Sequence, residues 1–217
     1  MSTRGGENNR PPPRTFNLRT IGPEPDRATP IAEEDLVDLI PEFVATRRDL
    51  NVVEFDNIAK TVPWALKQAR NGGVERVLKY SFLFALHRRM FEDVWRWAGT
   101  QRQRVTNIGV EPSQIVTLTK QALDDGVWWH EHSTFDVDER AARIHHRLVA
   151  VHPFPNGNGR CTRLLADLYL TATSDPIFTW GAGSGLHDDG DVRRRYLDAL
   201  HAADGDDYRP LVAFARA

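Results

Sequence analysis

A chain of 217 residues with 41% hydrophobic and 27% charged side chains can bury one full core, with room for an extension. Its net charge of -2 gives no global attraction to nucleic acid or a membrane surface, and no apolar run approaches the ~20 residues of a membrane span. The single cysteine, Cys161, excludes an internal disulfide framework and points to a reducing, cytoplasmic setting.

Residues 1–30 read as an extended or disordered arm, rich in Pro11-Pro12-Pro13, Gly22-Pro23, Pro25 and Pro30 and poor in apolar side chains. The polar start, Met1 to Arg10, does not read as a secretory signal. Residues 31–217 read as one domain that includes an N-terminal helical extension. A short helix opens at Thr29-Pro30 and stops before Pro41. Val53, Ile58, Trp64 and Ala65 predict a helix over 51–71, kinked at Pro63 and ended by Asn71-Gly72-Gly73. The stripe Val77, Leu78, Phe82, Leu86, Met90, Phe91, Val94 predicts another over 74–98. Residues 101–109 alternate rather than spiral, which predicts a short extended loop or hairpin. Helices follow over 112–131, 137–151 (capped by Asp136 or Asp138), 158–172, 190–202 and 207–216, with a Gly-rich loop at 181–185. The expected fold class is all-α, a helical bundle with one small β excursion.

Chemistry concentrates in His152-Pro-Phe-Pro-Asn-Gly-Asn-Gly-Arg160 and Arg163. Gly157-Asn158-Gly159 leads from a Pro-bearing loop into a helix, so backbone N–H groups and the positive end of the helix dipole converge on one point. Phosphate is the usual occupant of such a cradle. Arg160 and Arg163 stand three apart on one helix face, where two guanidiniums can grip separate phosphates. His152 precedes the loop and, as a neutral imidazole, can take a proton from an incoming hydroxyl. Asn156 offers an amide oxygen where a metal-binding group could stand. Each feature alone is common and more often structural; their union in twelve residues reads as polyphosphate binding beside a base.

This window resembles the Fic (filamentation induced by cAMP) motif HPFx(D/E)GNGRxxR, with Asn156 at the acidic position. The segment His87 to Gly99 resembles the part of that family that leads into a β-hairpin flap, and Tyr196 to Leu200 with Pro210-Leu211 resembles its closing helices. The wording HPFPNGNGR is most similar to the group called mobile mystery protein B. The resemblance implies a Fic-type bundle with a hairpin flap, in which Val105, Thr106, Asn107 and Ile108 dock the target chain. It implies that His152 deprotonates a Ser, Thr or Tyr hydroxyl of a target protein, which attacks the α-phosphate of ATP and takes AMP. Gly157, Asn158 and Gly159 would hold the phosphates, Arg160 the β-phosphate region and Arg163 the γ-phosphate, with Tyr196 nearby. The family's acid binds Mg²⁺; an amide at Asn156 is a weaker ligand for a hard cation, which leaves open another transferred group, such as phosphate or another nucleotide, or a regulatory scaffold.

Many Fic proteins are restrained by a helix bearing (S/T)xxxE(G/N), whose Glu pairs with the second motif arginine; the resemblance thus implies an antitoxin or a self-inhibitory segment as a partner. Thr3 to Asn8 fits the spacing but contains Gly5-Gly6. Thr46-Arg-Arg-Asp49-Leu-Asn51 offers an acid one position early and also reads as a helix cap. His145-His146 read as bracing residues rather than a zinc site, and Trp95, Trp97, Trp128 and Trp129 as core and interface anchors.

Overall fold

A computed structural model describes residues 37–181 and 190–217. The expected arm at 1–30, most of the short helix up to Ile40 and most of the 181–185 loop lie outside the described residues. Seven α-helices appear among those described: α1 (Arg47–Val77), α2 (Tyr80–Phe91), α3 (Ile115–His132), α4 (Val137–Val151), α5 (Asn158–Ala172), α6 (Asp191–Asp204) and α7 (Arg209–Arg216). The all-α expectation holds. No described helix is long and apolar enough to cross a membrane.

The first helix starts earlier than its apolar pattern. Thr46 and Asp49 form a reciprocal capping box: Asp49 N–H donates to Thr46 Oγ1 at 3.1 Å, and Thr46 N–H donates to Asp49 Oδ2 at 3.0 Å. The helix continues through Pro63 with helical backbone angles, because α1 packs on both α2 and α5 and the packing outweighs one missing N–H. It breaks instead at Gly73, whose φ of 63° L side chains rarely adopt. The expected 74–98 helix is three pieces. Leu78-Lys79 interrupt it, α2 covers 80–91, and 92–99 is a turn in which Leu39 forms an isolated antiparallel bridge with Trp95. Asp136 caps α4 by position, without a side-chain bond, while Asp138 is ion-paired with Arg216.

At the centre, α5 lies between α1 and α4, with α3 on the far side of α4. Leu165, Leu168 and Tyr169 of α5 meet a core of Ala65, Leu86, Met90, Ile144 and Leu148. Burying such side chains contributes roughly 1.5–3 kcal/mol each, so the position of the α5 N-terminus is firmly set by the core. Cys161 is buried in this layer, which pushes its thiol pKa up.

Candidate active site

His152 caps α4 in the left-handed conformation (φ 56°, ψ 60°), which swings the chain out of the helix. Six residues later Asn158 opens α5, after Gly157 at φ 76°. Asn158 closes this loop: its Oδ1 accepts Phe154 N–H at 2.9 Å and its Nδ2 donates to Phe154 O at 2.8 Å. Phe154 is fully buried beneath it. A Cβ on Gly157 would stand 2.5 Å from the Phe91 ring, so the backbone passes where only glycine fits. The first-turn N–H groups of Asn158, Gly159 and Arg160 have no carbonyl one helical turn before them, so the α5 terminus presents donors and a positive dipole end. The Gly157 turn leads into this helix start, and Asn158 fixes the loop before it.

The two motif arginines diverge, although they stand three apart on one helix. Arg160 Nη1 donates to Glu54 Oε2 of α1 at 2.6 Å, and its guanidinium lies 4.9 Å over Phe91. Glu54 is 3% exposed and also accepts Trp95 Nε1–H at 2.8 Å. Arg163 turns the other way, its guanidinium 5.4 Å over the Tyr196 ring of α6. The Tyr196 hydroxyl is 2.9 Å from His145 Nε2. Tyr196 thus joins the site through Arg163. Burial, then the charges of Arg163 and His146, drive the His145 pKa well below its usual value, so a neutral ring backs this arginine.

His152 is held by a different set. Its Nδ1 lies 3.3 Å from Val149 O, which places the ring proton there and the lone pair on Nε2. Burial, with a further contribution from Arg102, lowers its pKa to about 4, so the ring is a neutral base at pH 7. Arg102 is 3% exposed and spans the site: Nε donates to His152 O at 2.6 Å, Nη1 to Arg104 O at 2.8 Å, and Nη2 to Val110 O. Arg102 N–H also donates to Pro153 O at 3.0 Å. A Cβ on Gly109 would meet His152 Cβ at 2.6 Å, so the 101–111 segment lies directly against the base.

That segment is not a hairpin. Residues 101–111 form no strand; the Arg102 guanidinium takes carbonyls that a strand partner would otherwise satisfy. The expected docking residues sit on it: Val105 is 66% and Ile108 39% exposed, Asn107 is exposed, and Thr106 Oγ1 donates to Ile108 O at 2.6 Å.

The acid expected at Asp49 does not reach the motif. Asp49 is engaged in the helix cap and Asn51 is exposed; the carboxylate that meets a motif arginine is Glu54, five residues further on, and it meets the first arginine. Sequence reasoning passed over Glu54, Arg102 and His87. The signal available for Glu54 was an acid at helical spacing from Leu50 and Asn57 on the side of α1 that is buried, and for Arg102 a lone arginine ahead of an alternating run.

For a metal, the donor set is poor. Asn156 Oδ1 turns back to accept Gly157 N–H at 2.5 Å, and among the described residues no group of three or more His, Cys, Asp or Glu could hold an ion. These residues do not fit a protein-held Mg²⁺.

Residues 77–170 match the Fic/DOC family. This stretch is similar to a Fic domain. The protein adenylyltransferase fic-1 of Caenorhabditis elegans is 35% identical over 107 residues, which cover 48% of this chain and 19% of that protein. The chain thus spans about a fifth of the length of that curated relative. The solved structure of C. elegans Fic-1 (residues 134–508) superposes with a TM-score of 0.57 at 28% identity, covering 76% of this chain and 48% of that one. BepC of Bartonella tribocorum, solved with bound AMPPNP, shares the fold at a TM-score of 0.61 and 16% identity, covering 80% and 87%.

Proposed function

We propose that this chain is a Fic-type protein adenylyltransferase that passes AMP from ATP to a Ser, Thr or Tyr hydroxyl of a target protein. The observation that carries the reading is the placement of His152. A neutral, buried imidazole with its lone pair on Nε2 stands at one end of a five-residue loop, and the donor-bearing terminus of α5 stands at the other. In the reaction, the target hydroxyl attacks the α-phosphorus, its proton passes to His152 Nε2, and the bond to the β-phosphate oxygen breaks to release pyrophosphate. The α5 terminus and Arg163 would hold the phosphates, with Arg160 joining once it leaves Glu54. Glu54 is the internal restraint in this reading, and a separate antitoxin would compete for the same arginines.

The 31–217 unit, a place in the mobile mystery protein B group and a cytoplasmic location complete the proposal; the HPFPNGNGR wording and the lone buried cysteine support the last two. The turned-in Asn156 amide favours one second reading, transfer of another phosphorus group or a slow, scaffold-like protein. ATP labelled at the α- or γ-phosphate separates these. Label from the α-position on protein is the expected result; label from γ alone would mean phosphoryl transfer, and bound ATP without labelling a scaffold. His152→Ala should lower labelling by about 10²–10⁴-fold. The rate should be level from pH 8 to 5 and fall as pH drops through about 4, where His152 gains a proton and can no longer accept one.

A further inference from the structure

We propose that His87 is a positioning residue that couples the root of the 101–111 segment to the phosphate loop through one imidazole of fixed tautomer. His87 sits on α2, fully buried. Its Nδ1 lies 3.0 Å from Gly99 N, a group that can only donate. Nδ1 must therefore carry the lone pair, and the ring proton is on Nε2. That nitrogen lies 3.0 Å from Asn156 O, which can only accept. The two main-chain partners fix the tautomer between them, with no freedom to exchange it. A doubly protonated ring would set an N–H against the Gly99 N–H.

The ring is clamped as well as bonded. It stacks on Phe154 at 3.7 Å and 15°, and lies 4.8 Å from Phe91. Both of its partner segments run as tight as backbone allows. A Cβ on Gly99 (φ 73°) would meet Arg88 Cβ at 2.5 Å, and one on Gly157 would stand 3.3 Å from His87 Nε2. Gly99 precedes the segment that lies against His152, and Asn156 precedes the N-cap of α5. A displacement on either side therefore reaches the other through a rigid ring. An ordinary core histidine filling space would not need two main-chain partners at functional segments on opposite edges. The link to transfer rests on the proposed activity; the coupling itself does not.

Two conservative substitutions divide the ring. An Asn amide reaches the Nδ1 position and a Gln amide the Nε2 position. His87→Asn keeps an acceptor for Gly99 and loses the phosphate loop; His87→Gln keeps a donor for Asn156 and loses Gly99. The full chain would be titrated with ATP by calorimetry, with backbone amide exchange read by NMR at Gly99 and at Gly157 to Arg160. His87→Asn should weaken ATP binding about tenfold and leave Gly99 exchange unchanged. His87→Gln should hold ATP affinity within roughly twofold and speed Gly99 exchange about tenfold, and His87→Leu should show both losses. If Asn and Gln behave alike, or in the reverse order, the coupling role is overturned and His87 is only a core side chain. Should the native chain bind no ATP, the proposed activity fails, while the Gly99 exchange pattern still decides the role of His87.

Discussion

The loop 153–157 and the segment 101–111 both flank His152, yet their main-chain groups are satisfied in different ways. The loop is tied along its length: Asn158 bonds Phe154 twice, Arg102 takes Pro153 O, and His87 takes Asn156 O. The segment is tied at its roots, by Arg102, by Gln101 Nε2 donating to Pro112 O at 2.9 Å, and by Val110 N–H to Val151 O at 3.3 Å. Its middle presents Val105 and Ile108 to solvent. Phosphate has one shape, and a donor set fixed in advance binds it without reorganising. A protein target varies in shape, and a segment that presents an exposed apolar tip can adapt to it. The difference suits a site with one constant and one variable substrate.

Arg102 is the residue whose loss would break that contrast most severely, since it serves both stretches. Arg102→Met leaves the carbonyls of His152, Arg104 and Val110 without their donor in a largely buried place. One to three such losses at about 1–3 kcal/mol each place the cost at roughly 3 kcal/mol. Thermal unfolding should then fall by about 6–12 °C, with the 101–111 amides exchanging freely. A midpoint that stays within measurement error would show that the segment is held by something else. Arg102→Lys should recover little, because an ammonium cannot reproduce the guanidinium fork.

Glu54 tests the fixed side. Glu54→Gln keeps an acceptor for Trp95 Nε1–H but removes the charge that holds Arg160. With Arg160 released, ATP affinity should rise by about tenfold, the usual scale for a charge-assisted hydrogen bond. A fall in affinity would mean that Glu54 aims Arg160 at the nucleotide rather than restraining it. Asp49→Ala is the control: it removes the α1 cap, should lower thermal stability, and should leave ATP affinity alone.

Which parts could be read from the chain follows from how local their causes are. The α5 boundaries, Asn158 to Ala172, came out as expected, because Gly157 and the apolar stripe act within a few residues. The Gly157 turn into the start of α5 was legible for the same reason. The start of α1 was missed by four residues, since Thr46–Asp49 is a capping signal that lies outside the apolar pattern. The break at Gly73 was legible; the passage through Pro63 was not, because packing on α2 and α5 decides it. The three missed site residues all act over long separations. Glu54 meets Arg160 across 106 positions, His87 meets Asn156 across 69, and Arg102 meets His152 across 50. Local periodicity places each on an element but says nothing of its partner. The hairpin failed on a single side chain, because alternation signals a strand only while backbone groups are left to pair with each other.

The smallest effect belongs to the adaptable side, and it sharpens the contrast. Val105→Ser and Ile108→Ser remove exposed apolar surface without touching the core, Arg102 or the phosphate loop. Unfolding midpoint and ATP affinity should both stay at their native values, since neither side chain supports a neighbour whose loss would be felt. What should change is the transfer of α-label to protein, by a factor of about 2–10, as two apolar contacts with an incoming chain are lost. The loss should lie in the concentration of acceptor needed rather than in the rate at saturation, because the base and the phosphates keep their geometry. If the pair instead lowered the saturated rate with acceptor affinity unchanged, the exposed tip would be positioning His152 through Gly109, and the two stretches would be less separate than their hydrogen bonds imply.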